Sequence, residues 1–416
     1  MTKLAMQQAP VAWAPRVFLL SASVWGVLAG TLVAVDGAAL LVSRWSGNTL
    51  ALVHMMTLGV LANAMLGSLL QFLPVAAGMP VRGGRVGALA LYALLNVGAA
   101  CLVVALRWPA LLPPIWGGGL LLAAFLLLCF LVIPGVRCDS GQWFLRQGLL
   151  FAVLASLFTA LLGVMLTLRL LGASGGPSLV ALTDVHASWG LLGWVLGLLA
   201  AVSRVVGPMF QGVAPASQRG QGIWQGLLYG ALLSALFLLE SRYLNTALRF
   251  MVGGIGLYFA VGGLWRQLRA PRLRKAPLTY FWMAGQASLA AACCVLLVEE
   301  GTALWVGVLA LMIGLPLLIT GMQLEIIAFL GWIELQRRCG RGVHLPGVQL
   351  LVPQRDKALA LALHLLAALL LLMALSGFVS AHAAGVGLVL AYLVTLAVLC
   401  GPSWRARQFV QQRQGV

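Results

Sequence analysis

Residues 52–78 read "LVHMMTLGVLANAMLGSLLQFLPVAAG", an apolar run with one histidine, His54, near its start and Pro74 twenty residues later. Residues 184–210, "DVHASWGLLGWVLGLLAAVSRVVGPMF", repeat the outline with His186 and Pro208, 22 residues apart. Each run exceeds the roughly 20 apolar residues that carry a helix across the hydrocarbon core of a bilayer. Similar runs recur from end to end, so the chain reads as an all-α integral membrane protein. The short alternating strands of a membrane β-barrel are missing from the pattern.

Composition agrees. Of 416 residues, 62% are hydrophobic and 8% are charged, whereas a soluble domain carries about 25% charged residues. The net charge of +17 does not point to nucleic acid, because the basic residues sit in short connections and form no basic domain. Lys and Arg in such places mark cytoplasmic loops, and the lipid bilayer is the partner they imply. The start, "MTKLAMQQAPVAWAPR", reads as a cytoplasmic tail over residues 1–16 rather than a removed signal. Residues 402–416 read as a second cytoplasmic tail. The seven cysteines, among them Cys101, Cys129 and Cys138, form no CxxC pair. Most lie in apolar runs, where a free thiol acts as a small hydrophobe, so neither a disulfide nor a metal site is expected.

Hydropathy gives twelve spans, at about 17–42, 49–73, 86–106, 114–135, 146–170, 178–203, 221–240, 246–265, 279–298, 303–333, 357–380 and 382–401. With the N-terminus inside, 21 of the 26 Lys and Arg fall on inner segments, including Lys3, Arg137, Arg272, Arg341 and Lys357. The other five, Arg44, Arg107, Arg169, Arg242 and Arg249, fall outside. A missed span would reverse the bias downstream, so the count implies a multi-pass protein of a bacterial inner membrane with both termini cytoplasmic. The loop at 334–357 is expected to hold a short structured element, with His344 as a solvated loop residue. His54 and His186 are 132 residues apart. A further step of that length reaches Leu318 on span ten, which suggests three pseudo-repeats of four helices.

Span direction converts sequence into depth. Asp36, His54, Asp184, His186 and His382 all come to the outer side, and His364 to the inner half. Ionisable groups at membrane depth are costly and are functional candidates by default. Helical spacing aligns His186 with Gly190, Gly193 and Gly197, and His54 with Thr57, Leu61, Met65 and Ser68. Two readings of the glycine stripe stay open: room for a flat group such as a porphyrin, with an imidazole as axial ligand, or close helix packing. Asn63 and Gln71 could bridge helices, and Pro74 and Pro208 shape the span ends. Glu325, inside an apolar helix, is either functional or paired with an inner-leaflet arginine. Glu240, Glu299 and Glu300 read as solvated span ends. There is no phosphate loop, nucleophile elbow or HExxH motif.

Twelve spans, a three-by-four arrangement and histidines in the outer halves of spans two and six resemble the haem-copper oxidase subunit I superfamily. Among its members the chain is most similar to the shorter, divergent NnrS-type membrane proteins. In detail the resemblance rests on the two quoted runs. It implies a haem-ligand role for His54 and a copper-ligand place for His186. His382 enters as a second ligand on depth alone. The chain departs from the family where Ala187 and Ser188 replace Pro-Glu after His186, and where spans seven and ten lack histidines. The resemblance therefore implies a haem- or copper-binding protein without the oxygen-reducing centre, in nitric oxide, oxygen or metal handling or in respiratory-chain support. Two other classes stand beside it: a permease for a small solute or metal, and a membrane scaffold or assembly factor. A membrane-protein partner or homo-oligomer is compatible with each.

Overall fold

A computed structural model describes residues 10–136, 143–241, 243–298, 302–339 and 344–414. The expectations for Lys3, Arg137, Cys138, Arg242, Glu299, Glu300 and Arg341 lie outside these. The described residues form an all-helical chain of twelve long helices. They are α1 Trp13–Asp36, α2 Gly47–Ala76, α3 Gly84–Arg107, α4 Pro114–Val136, α5 Trp143–Leu170, α6 Leu179–Gln211, α7 Gln218–Phe237, α8 Leu244–Leu268, α9 Pro277–Val298, α10 Ala303–Cys339, α11 Gln354–Leu375 and α12 Ala381–Gln414. Eleven are long and apolar enough to cross a membrane, and α7 falls short of that hydropathy.

Three helices are not α-helical throughout. Wider π-helical stretches occupy Met55–Ala62 in α2, Trp189–Leu196 in α6 and Val308–Gly314 in α10. A π stretch displaces carbonyls from the i→i+4 ladder and is frequent at functional sites. Side chains meet those carbonyls here. Asn63 Nδ2 donates to Leu58 and Gly59 oxygens at 3.2 and 2.9 Å, Tyr229 Oη donates to Gly193 at 2.8 Å, and Ser288 Oγ donates to Leu309 at 2.7 Å. The same three helices are the most enclosed. Of their apolar windows 78, 61 and 67% is buried, against 28–50% for the other eight.

The chain divides into two compact units. The first runs from the N-terminus to Gly78 and adds Lys275–Gly285 and the residues from Leu311 onward. In it, α1 lies against α12 at small residues: a Cβ on Gly30 would stand 2.8 Å from the Val389 nitrogen, and Gly26 faces the Tyr392 ring. Close backbone approach of this kind is how helices associate in lipid, where apolar burial gives no net drive. Gln71, expected to bridge helices, is buried, and neither amide atom has a hydrogen-bond partner among the described residues. Residues 402–414 are not a loose tail. They continue α12, with Pro402 against Gly331, and Ala406 in a core with Leu335 and Leu351. Leu351 ends a one-turn helix, Val348–Leu351, within the long polar connection.

The second unit comprises Met79–Arg274 and Gln286–Ala310. Here α7 shows why its hydropathy is low. Gln221, Trp224, Gln225, Leu228 and Tyr229 form its buried stripe, while Ile223, Leu227, Leu233 and Phe237 are exposed. Two glutamines and a tyrosine thus turn toward protein together with apolar neighbours, while several large apolar side chains face away.

Candidate functional site

Each candidate histidine is set by its hydrogen bond. His54 lies directly before the π stretch of α2, half-buried, with Nδ1 2.7 Å from the Leu50 carbonyl one turn back. A carbonyl can only accept, so Nδ1 carries the proton and Nε2 keeps its lone pair. Nε2 has no hydrogen-bond partner among the described residues. Metal-bound imidazoles commonly show this arrangement, one nitrogen donating to a carbonyl and the other turned to the metal.

His186 is held from α5: its Nδ1 lies 3.0 Å from the Thr159 carbonyl, and the ring packs over Gly163. The glycines that follow are covered. A Cβ on Gly190 would meet Thr159 at 3.1 Å, and one on Gly193 would meet Leu232 and Ala155 at 3.0 and 3.1 Å. Gly197 faces the Tyr229 hydroxyl. Of the two readings of the stripe, close packing is the one realised, because α5 and α7 fill the space beside it. Asp184 is half-buried one turn before Ser188, whose hydroxyl donates to the Asp184 carbonyl at 2.7 Å.

His382 is exposed, and its Nδ1 donates to the Ala34 carbonyl at 2.7 Å, tying α12 to the end of α1. Its ring lies on Gly37, whose φ of 53° suits glycine and whose missing side chain makes room for the imidazole. Asp36 stands between Ala34 and Gly37, so His382 and Asp36 share one turn. Both they and His54 belong to the first unit, whereas Asp184 and His186 belong to the second.

His364 is a structural residue. It is buried, its Nε2 lies 3.0 Å from Thr395 Oγ1, and its ring is 4.9 Å from that of Tyr392. Thr395 directs its own proton to the Ala391 carbonyl at 2.9 Å, so it accepts from His364 Nε2–H. This is the opposite tautomer from His54.

Glu325 does have a partner, but it is a lysine. Lys357 Nζ lies 2.6 Å from Glu325 Oε1, with side-chain exposures of 2 and 14%. Lys357 had read as a loop-edge residue marking the inner face. The signal for its burial is the stripe Lys357, Ala360, His364, Ala367 and Leu371, all on one side of α11.

No three His, Cys, Asp or Glu side chains among the described residues gather as a metal site. Haem requires only one axial imidazole, and His54 offers one. No family model and no curated protein matches the chain.

Proposed function

We propose that this chain is a polytopic membrane protein of the haem-copper oxidase subunit I type, most similar to its divergent NnrS-like members, that binds a single haem through His54. The observation that carries the reading is the state of His54: Nδ1 is committed to the Leu50 carbonyl, and Nε2 is left with an unpartnered lone pair at the edge of a π stretch. A haem bound there would supply an iron able to take a diatomic gas. His54 would hold the iron, and the Leu50 carbonyl would fix the ring and raise the basicity of Nε2. The protein would then handle or sense nitric oxide or oxygen without reducing it, in keeping with Ala187 and Ser188 after His186 and with spans seven and ten that lack histidines.

The same reading takes α7 as a twelfth span with both termini cytoplasmic in a bacterial inner membrane. The buried glutamines Gln221 and Gln225 account for its low hydropathy, and the large side chains it exposes beyond its first turn, Ile223, Leu227, Leu233 and Phe237, are apolar and suit lipid. It also takes the chain as three blocks of four helices. Support comes from the three π stretches of seven or eight residues, which fall in the second, sixth and tenth long helices, one in each block; a shorter one of five residues, Gly207–Gln211, ends the sixth.

Absorption of protein purified from haem-sufficient cells is the test. A Soret band that disappears or shifts in His54→Ala and persists in His364→Ala is the expected result. Wild-type protein without Soret absorbance would remove the haem and leave the permease or scaffold as the better account.

A further inference from the structure

In the first unit carboxylates neutralise several cations: Arg16 and Arg338 hold Glu334 at 2.7 and 2.6 Å, Lys357 holds Glu325, and Arg405 holds Asp356 at 2.8 Å. In the second, Arg204, Arg219, Arg266, Arg269 and Arg272 make no ion pair among the described residues. Nη1 of Arg204 is buried with no acceptor. The described carboxylates of this unit lie at the opposite helix ends, Asp184 near the start of α6 and Glu240 just beyond the end of α7.

The fold gathers several of these arginines. Gln267 at the end of α8 donates to Gln211 at the end of α6, at 2.5 Å. The Arg274 amide donates to the Gln211 carbonyl at 3.0 Å, and the Arg272 carbonyl covers Gly212, whose φ is +75°. The turn after α8 is thereby folded over the end of α6 with the exposed Arg272 in it, while Arg266 and Arg269 sit on the last turn of α8, their guanidiniums beside Gly262 and Trp265.

An apolar track leads to that place. Tyr258, Val261, Trp265 and Leu268 form an exposed stripe along α8, 49–65% accessible. At its end the Arg269 guanidinium lies 4.2 Å from the centre of the Trp265 ring.

We infer that the junction of α6 and α8 is a binding site for an acidic phospholipid, with its phosphate on Arg266, Arg269 and Arg272 and an acyl chain along the Tyr258–Leu268 stripe. Guanidinium binds phosphate through paired N–H donors, a geometry lysine cannot copy. Basic residues just beyond a membrane helix are where acidic headgroups concentrate. Trp265 marks the level between the two, as interfacial tryptophans do. A free phosphate would use the arginines and leave the apolar stripe without a role. This inference is independent of the haem.

The test uses full-length protein in phosphatidylcholine nanodiscs, titrated with fluorescent phosphatidylglycerol, fluorescent phosphatidylcholine, or inorganic phosphate. Phosphatidylglycerol should bind at least about tenfold more tightly than phosphatidylcholine. Arg266→Gln/Arg269→Gln/Arg272→Gln should abolish that preference, and Arg338→Gln, which alters a paired arginine of the first unit, should not. Trp265→Ala should weaken the lipid and spare any phosphate binding. If the triple variant loses its helical circular dichroism, Arg272→Gln alone, on the surface turn, should still lower the preference several-fold. Equal binding of the two lipids, an unchanged preference in Arg272→Gln, or tight phosphate binding with no lipid preference would each overturn the inference.

Discussion

Three of the described histidines keep their proton on Nδ1 and one keeps it on Nε2, and this separates a candidate ligand from a packing residue. His364 donates through Nε2 to Thr395 between two aromatic rings, so His364→Ala removes one hydrogen bond and opens a small void. It should lower stability by about 1–3 kcal/mol, read from thermal unfolding in detergent, with no spectral consequence. Lys357 and Glu325 are more demanding. Removing one member of a buried pair leaves a charge without a partner, so Lys357→Met alone should destabilise by about 3–5 kcal/mol. Lys357→Met with Glu325→Gln should recover most of that loss, and a double variant no better than the single one would refute the pairing. Loop charge predicts an outer depth for His54 but carries no sign of its hydrogen bond, whose acceptor is main chain. The sequence left Glu325 as functional or paired with an arginine and did not offer Lys357, which at the opening turn of α11 resembles a solvated helix start.

Among the elements, the π stretches were the least legible. A hydropathy pattern reports where a helix is apolar and carries no mark of a local change in winding. Asn63 could be singled out as polar in an apolar run, but its role toward its own helix could not. Tyr229 and Ser288 act from neighbouring helices. Asn63→Leu, Tyr229→Phe and Ser288→Ala should each lower stability by about 0.5–1.5 kcal/mol, the net worth of a hydrogen bond. Asn63→Leu should cost most, since it uncovers two carbonyls. Thermal unfolding of the three variants checks the order, and no loss in Tyr229→Phe would mean that the Gly193 carbonyl does not depend on it. Eleven of the helices were readable as apolar spans, because runs of 20 apolar residues have few other solutions, whereas α7 with its buried glutamines is not such a run. The continuation of α12 past residue 402 was not, since Gly401-Pro402 followed by a polar segment resembles a helix stop.

For the molecule as a whole, sidedness rests on whether α7 crosses the bilayer. If it does, reporter fusions at Arg82 and Arg272 should both read cytoplasmic, along with one at His344, and one at Gly377 should read external. If it does not, Arg82 and Arg272 should report opposite sides, and the shared depth of Asp36, His54, Asp184, His186 and His382 would lose its basis. The loop-charge asymmetry was visible from sequence because it needs only order along the chain. The division into two units, with His54 in one and His186 in the other, was not, because which helices pack together is decided by contacts far apart in sequence.

A helix that widens to the π form holds a residue more than its α-helical neighbours require, as though one had been inserted. The stretch at Met55–Ala62 should for that reason accept a shortening that its surroundings reject. Deleting Val60 lets the winding relax to the ordinary α form while the segments on either side keep their facing. Deleting Leu69, in the regular part of α2, turns everything beyond it by about 100°. The two single-codon deletions differ by nine positions in an equally greasy helix, and expression of folded protein should survive the first far better than the second.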